Sequence, residues 1–145
     1  IAHEEASQIM MKTPEDFANQ TAETFKDFKK AAAEKGISTS SGRYKMMLDG
    51  LKDVATKSAS FQLNEFAWGY FDMASEEQDL KNAIKWSAYS IKLTENPANW
   101  ETYAFLLKKI GRKKDAQKAL KQAVRLGRKS GVETESIKKD YQKIK

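Results

Sequence analysis

An all-α fold built from stacked helical hairpins is the class this sequence predicts. Three observations lead to it. An eight-residue pattern occurs twice, as Leu63-x2-Phe66-Ala67-x2-Tyr70 and as Trp100-x2-Tyr103-Ala104-x2-Leu107, with starts 37 residues apart. Self-similarity at such a period marks repeated hairpins rather than one closed core. The i, i+3, i+4, i+7 spacing sets four side chains on one helix face, and the alanine third in each set lets a neighbouring helix come close. Finally, nothing alternates with period two for long enough to make a strand, and 145 residues hold only two prolines and seven glycines.

The elements follow from local signals. Residues 1–12 carry only Ala6, Ile9 and Met10 as a weak apolar pattern. Thr13-Pro14-Glu15-Asp16 reads as a helix start, with Thr13 as cap, Pro14 at the first helical position and acids at the positive helix end. Phe17, Thr21, Phe25, Phe28 and Ala32 continue that helix, and Gly36 follows as a left-handed stop. After the Ser/Thr-rich segment 37–42, a second helix takes Tyr44, Met47, Leu48, Leu51, Val54 and Ala55 on one face. Ser58-Ala59-Ser60 interrupts this pattern. The first repeat then runs from about Phe61 to Met73, with a polar loop at 75–79. Its partner helix bears Leu80, Ala83, Ile84, Trp86, Ser87 and Ile91 and ends near Thr94. Asn96-Pro97 is a turn signal. The second repeat spans Asn99 to Ile110, stopped by Gly111, with a partner helix from about Arg112 to Ser130 and Gly131 beyond. Ile137, Tyr141 and Ile144 define a last amphipathic helix. The organisation expected is an N-terminal helical region (1–57), two hairpins (58–130) and a capping helix (131–145) in one structural unit.

Composition narrows the function classes. No stretch approaches the eighteen apolar residues of a transmembrane helix. Cysteine is absent, which removes disulfides, thiolate metal sites and cysteine nucleophiles. Catalysis needs a nucleophile with a base, a carboxylate pair in a cleft, or a metal set. The one histidine, His3, lies in the weakly patterned terminus beside Glu4 and Glu5, which add no metal-ligand spacing. Glu76, Glu77 and Asp79 lack the glycine and alternating oxygens of a calcium loop and read as a solvated connection. No glycine loop suits a phosphate. The expectation is a non-enzyme without metal or cofactor.

The repeats resemble the tetratricopeptide repeat (TPR), whose pattern is W-x2-L-G-x2-Y, then A-x3-F, then proline. Trp100, Tyr103, Ala104 and Leu107, with Gly111, Ala116, Leu120 and Ala123, match it best. The first repeat departs: Ala67 to Ala83 is four residues longer than Ala104 to Ala116, Ser87 stands where an aromatic is expected, and Pro97 lies close to Trp100. The resemblance covers residues 60–130 and implies a right-handed array of helical hairpins. The string Leu-Asn-Glu-Phe-Ala-Trp from Leu63 is similar to TPR tails that follow thioredoxin-like domains in exported bacterial proteins. That likeness implies the periplasm or cell envelope and a segment of a longer chain. A start at Ile1 rather than Met agrees with something preceding it.

In such arrays the leading helices line a concave groove. The face left open there carries Asn64, Trp68 and Phe71 in the first repeat and Glu101, Phe105 and Lys108 in the second. Trp68 and Phe105 each stand one residue after the small alanine. Large aromatics bordered by Asn, Glu and Lys suit an extended or helical peptide. The alternative is that the long N-terminal helices cover this face. The lysine and asparagine set with which some TPR domains hold a terminal carboxylate is not matched.

The net charge of +6 conceals an asymmetry, −4 over residues 1–107 and +10 over 108–145. Lys114, Lys118, Lys121, Arg125 and Arg128 fall within about 80° of one another on a helix, opposite Ala116, Ala119, Leu120, Ala123 and Val124. This basic ridge reads as a solvated face, as a contact for an acidic protein, or as a phosphate-binding surface for nucleic acid or anionic lipid. No aromatic residues interleave with the charges to stack bases. The function expected is therefore a non-catalytic protein–protein interaction or scaffold module, its partner another protein or an upstream domain of the same chain. Nucleic-acid or anionic-surface binding by the ridge is the alternative.

Overall fold

The computed structural model describes residues 14–145, which form six helices and no strand. These are α1 (Pro14–Glu34), α2 (Gly42–Met73), α3 (Glu77–Leu93), α4 (Pro97–Lys109), α5 (Lys113–Lys129) and α6 (Glu135–Lys143). His3, Glu4, Glu5, the weak pattern of residues 1–12 and the Thr13 cap lie outside the described residues. The chain divides into two compact units between Ala59 and Ser60.

In the first unit α1 and the start of α2 meet through Phe28 and Tyr44, whose ring centroids are 5.5 Å apart. Ala32 and Tyr44 are buried there. The start of α2 is set by Ser41, whose Oγ accepts the Tyr44 amide at 3.1 Å and whose hydroxyl donates to the Ser38 carbonyl at 2.7 Å. That is the bond by which a serine caps a helix. The face expected to be apolar is only partly inward: Leu48, Leu51 and Ala55 are half-buried, whereas Met47 and Val54 are exposed.

The expected interruption at Ser58-Ala59-Ser60 does not occur, and α2 runs through it unbroken. None of the three residues removes an amide donor or demands an unusual backbone angle, so serine here costs only a little propensity. The Ser60 hydroxyl finds a partner outside its own helix instead, donating to the Ser90 carbonyl at 2.7 Å.

In the second unit, α4 is the central element. It pairs most extensively with α5, packs against α3, and carries α6 across it. Ala67, Leu80, Ala83, Ile84, Ala104, Phe105, Leu106, Leu107, Ala116 and Ala119 form the core, and Tyr141 closes it. The small alanines of both repeats, Ala67 and Ala104, are fully buried with Leu63 and Leu107. Their aromatic companions Phe66, Tyr70, Trp100 and Tyr103 are half-buried around them. Asn96 starts α4 by a reciprocal cap: its side chain accepts the Asn99 amide at 2.9 Å, and the Asn99 side chain accepts the Asn96 amide at 3.0 Å. Pro97 occupies the first turn, where its missing amide costs nothing.

Gly36, Gly111 and Gly131, each expected as a helix stop, have φ of 69°, 92° and 74°, the left-handed region that glycine enters without steric cost. Gly127 serves a different purpose. A Cβ there would lie 2.9 Å from Thr134 Cγ2, so glycine lets the chain fold back tightly onto α5 before α6 begins. Glu133 then starts α6 by accepting the Glu135 amide at 2.5 Å and the Ser136 amide at 3.1 Å. The Ser136 hydroxyl and amide, with the Glu135 amide, hold the Glu133 carboxyl below its ordinary range. None of the described helices is long and apolar enough to cross a membrane.

Candidate functional site: an aromatic groove beside a cationic cleft

Two concavities of the second unit lie beside α6. The first is a groove of about 510 Å³ lined by Trp68, Phe71, Glu101, Phe105, Lys109, Asp140, Lys143, Ile144 and Lys145. Its wall is a three-ring cluster. Trp68 stacks on Phe71 with centroids 5.1 Å apart and planes within 4°. Phe105 tilts against both, at 5.8 Å from Trp68 and 6.1 Å from Phe71. The i, i+3 spacing of Trp68 and Phe71 puts both on one side of α2.

The six groove residues read from the sequence separate here. Trp68, Phe71, Glu101 and Phe105 line the groove together. Trp68 is the outermost of the rings, at 38% exposure, while Phe105 is only 3% exposed. Phe105 therefore backs the groove rather than presenting a free ring, because Tyr141 of α6 packs over it at 6.2 Å. Asn64 is not on the groove. It is buried with Ser60, Leu63 and Ala67 on the inward side of α2, and its Oδ1 has no hydrogen-bond partner among the described residues. The inward stripe is one residue wider than the repeat pattern alone indicates.

Lys108 also lies elsewhere. Its ammonium donates to the Tyr141 carbonyl at 2.6 Å and sits 4.2 Å from the Tyr141 ring centroid. The next residue, Lys109, takes the expected place. It donates to the Phe71 carbonyl and lies 4.7 Å from that ring's centroid. The groove follows the i, i+4 row Glu101–Phe105–Lys109, which is inclined to the helix axis. Asp140, Lys143, Ile144 and Lys145 complete the groove and are not among the residues the repeat pattern points to. Their one sequence signal was the amphipathic spacing of the last helix, which does not say which face of α4 that helix covers.

Glu101 is half-buried in this groove. Burial raises its pKa above the ordinary carboxylate value, and the nearby charge of Asp140 adds to the rise. Lys109, Lys143 and Lys145 line the same groove; Lys143 lies 3.5 Å from Asp140. A carboxyl whose pKa is higher folded than unfolded binds its proton more tightly in the folded state. Its contribution to stability is full below the ordinary carboxylate pKa and is lost as pH rises through the raised value of the folded state. Glu101→Gln is expected to stabilise the fold at pH 7 by a few tenths of a kcal/mol, about the scale of a partly exposed site. The gain disappears below the ordinary carboxylate pKa, where the parent is protonated too. Urea unfolding of both proteins at pH 7 and at low pH measures it.

The second concavity is a cleft of about 780 Å³ between α5 and α6, lined by Lys108, Gln117, Leu120, Lys121, Val124, Arg125, Arg128, Lys138, Tyr141 and Gln142. All five ridge residues, Lys114, Lys118, Lys121, Arg125 and Arg128, are exposed. The ridge is nonetheless divided. Lys121, Arg125 and Arg128 border this cleft, whereas Lys118 borders a smaller depression of about 300 Å³ with Trp100, Tyr103, Arg112 and Asp115. The polar loop expected at 75–79 is shorter than that: Glu76 stands at the N-terminal cap position of α3, Glu77 and Asp79 lie in its first turn, and Glu77 pairs with Lys81 at 3.1 Å. Among the described residues no three His, Cys, Asp or Glu side chains converge on a metal position.

No protein-family model, curated protein or solved structure matches this chain.

Proposed function

We propose that the chain is a non-catalytic interaction module, an array of TPR-like helical hairpins that docks a peptide or neighbouring domain in the aromatic groove. The observation that carries this reading is the Trp68–Phe71–Phe105 cluster, three rings in mutual contact with the outer one open to solvent. A tryptophan held flat against a second ring is already ordered, so a ligand that packs on it loses little further side-chain entropy. Such pre-organised aromatic anchors carry a large share of binding energy at peptide interfaces. The rim supports a polar border of both signs, with Glu101 and Asp140 opposite Lys109, Lys143 and Lys145. The occupant that fits has one apolar or aromatic side chain set on Trp68 and Phe71, flanked by polar residues.

Selection of a displayed random-peptide library on residues 1–145 tests this reading. The expected result is a family of peptides sharing an apolar anchor. Their binding falls by about tenfold or more in Trp68→Ala, the effect of removing a central tryptophan contact. Peptides that bind Trp68→Ala and the parent alike would remove the groove from the account.

A further inference from the structure

We propose that the cationic cleft between α5 and α6 is a second docking site, for an acidic amphipathic helix. Its floor is apolar, made by Leu120 and Val124 of α5 and Tyr141 of α6. Its border is basic: five of its ten lining residues are Lys or Arg and none is acidic. Two of those cations are committed. Lys108 donates to the Tyr141 carbonyl, and Lys138 pairs with Glu135 at 2.9 Å. The other three are free of carboxylate partners among the described residues. Arg125 uses only its Nε, donating to Gln122 at 2.9 Å, and its two terminal nitrogens remain for a ligand.

Spacing defines the occupant. Lys121, Arg125 and Arg128 stand at i, i+4 and i+7, a row about 10 Å long at the helical rise. A facing helix with Asp or Glu at the same intervals meets each cation once and lowers its apolar stripe onto Leu120 and Val124. The three like charges repel one another in the free protein, a cost that such a helix relieves. A nucleic acid fits less well. Phosphodiester has no apolar face for this floor, and the one aromatic present, Tyr141, is 7% exposed and already covers Phe105. It has no free ring face on which a base could stack.

The test is fluorescence anisotropy on residues 1–145 with a labelled helical peptide carrying Leu and Glu at heptad spacing. Three further probes are the same peptide with Gln for Glu, a single-stranded RNA of similar charge, and phosphatidylserine vesicles. The Glu peptide is expected to bind at least about tenfold more tightly than the Gln peptide, as three ion pairs at an exposed site allow. Added salt should weaken it towards the Gln value. The Lys121→Glu, Arg125→Glu, Arg128→Glu triple variant should lose the Glu peptide and gain a Lys-for-Glu peptide, which shows that the variant is folded. Trp68→Ala should bind the Glu peptide as the parent does. Equal binding of the Glu and Gln peptides overturns the proposal. So does RNA or vesicle binding that exceeds the Glu peptide and is lost in the triple variant, and so does a Lys peptide that the triple variant fails to bind.

Discussion

Phe105→Ala is expected to destabilise the second unit by about 3–5 kcal/mol, the cost of emptying an aromatic site in a packed core. Phe105 is 3% exposed and touches Trp68, Phe71 and Tyr141 at ring distances of 5.8, 6.1 and 6.2 Å. Those three rings come from α2 and α6, so the cavity would open where α4 holds both neighbours. Refilling it needs movement of two helices, which places the expected cost towards the upper part of the range. Phe105→Leu keeps most of the volume and should cost under about 1.5 kcal/mol. Chemical denaturation of the two variants checks both values. Equal, small losses would mean that the ring is not the keystone of this contact. The same burial makes Phe105 a poor probe of binding, since any loss of ligand in Phe105→Ala includes loss of structure. Trp68 is the residue on which the groove can be tested cleanly.

Asn99→Ala is expected to cost about 2–4 kcal/mol, because one buried side chain satisfies groups from three segments. Asn99 Nδ2 donates to the Thr94 carbonyl at 2.7 Å and to Ser90 Oγ at 3.2 Å, while Oδ1 accepts the Asn96 backbone amide. Ser60 and Ser90 complete the cluster by exchanging bonds, each hydroxyl donating to the other's carbonyl at 2.7 and 2.6 Å. Asn99 is 0% exposed, so water does not replace what alanine removes. The Thr94 carbonyl and the Asn96 amide both lose partners, and α4 loses half of its cap. Asn99→Asp separates the two roles. It keeps the acceptor for Asn96 but sets an oxygen against the Thr94 carbonyl, so its loss should be largest at neutral pH. Protonation of the new carboxyl restores a donor, so stability should recover as pH falls. Thermal unfolding across pH follows this; a loss independent of pH would contradict it.

This polar cluster also shows why part of the fold was hidden in the sequence. Helix ends were legible wherever a single residue imposes a backbone angle or a cap, as Pro97, Gly111 and Gly131 do. Serine imposes neither. Ser58 and Ser60 read as an interruption because the apolar period lapses there, yet Ser60 is an inward residue whose partner, Ser90, lies thirty residues away. The groove was half-legible for a related reason. Trp68, Phe71, Glu101 and Phe105 share faces that helical spacing alone assigns. Lys108 and Lys109 differ by one 100° step, and packing against α2 and α6, which gives Lys109 the Phe71 ring and Lys108 the Tyr141 ring, is not encoded locally. Asn64 stands one turn before Trp68, so helical spacing puts it on the open face, whereas the inward side of α2 is wide enough there to bury it. The basic ridge was evident from its spacing, but its apolar-floored cleft requires Tyr141, contributed by a helix whose placement no local pattern encodes.

Docking of a partner in the aromatic groove can be followed directly at the residues that line it. An NMR titration of residues 1–145 with a peptide selected on the parent protein reads this residue by residue. The Trp68 indole N–H and the amides of Phe71, Glu101, Lys109 and Lys143 are expected to shift together and saturate at one affinity, while the Trp86 and Trp100 indoles stay in place. Shifts confined to other surfaces, with the Trp68 indole unmoved at saturation, would contradict it.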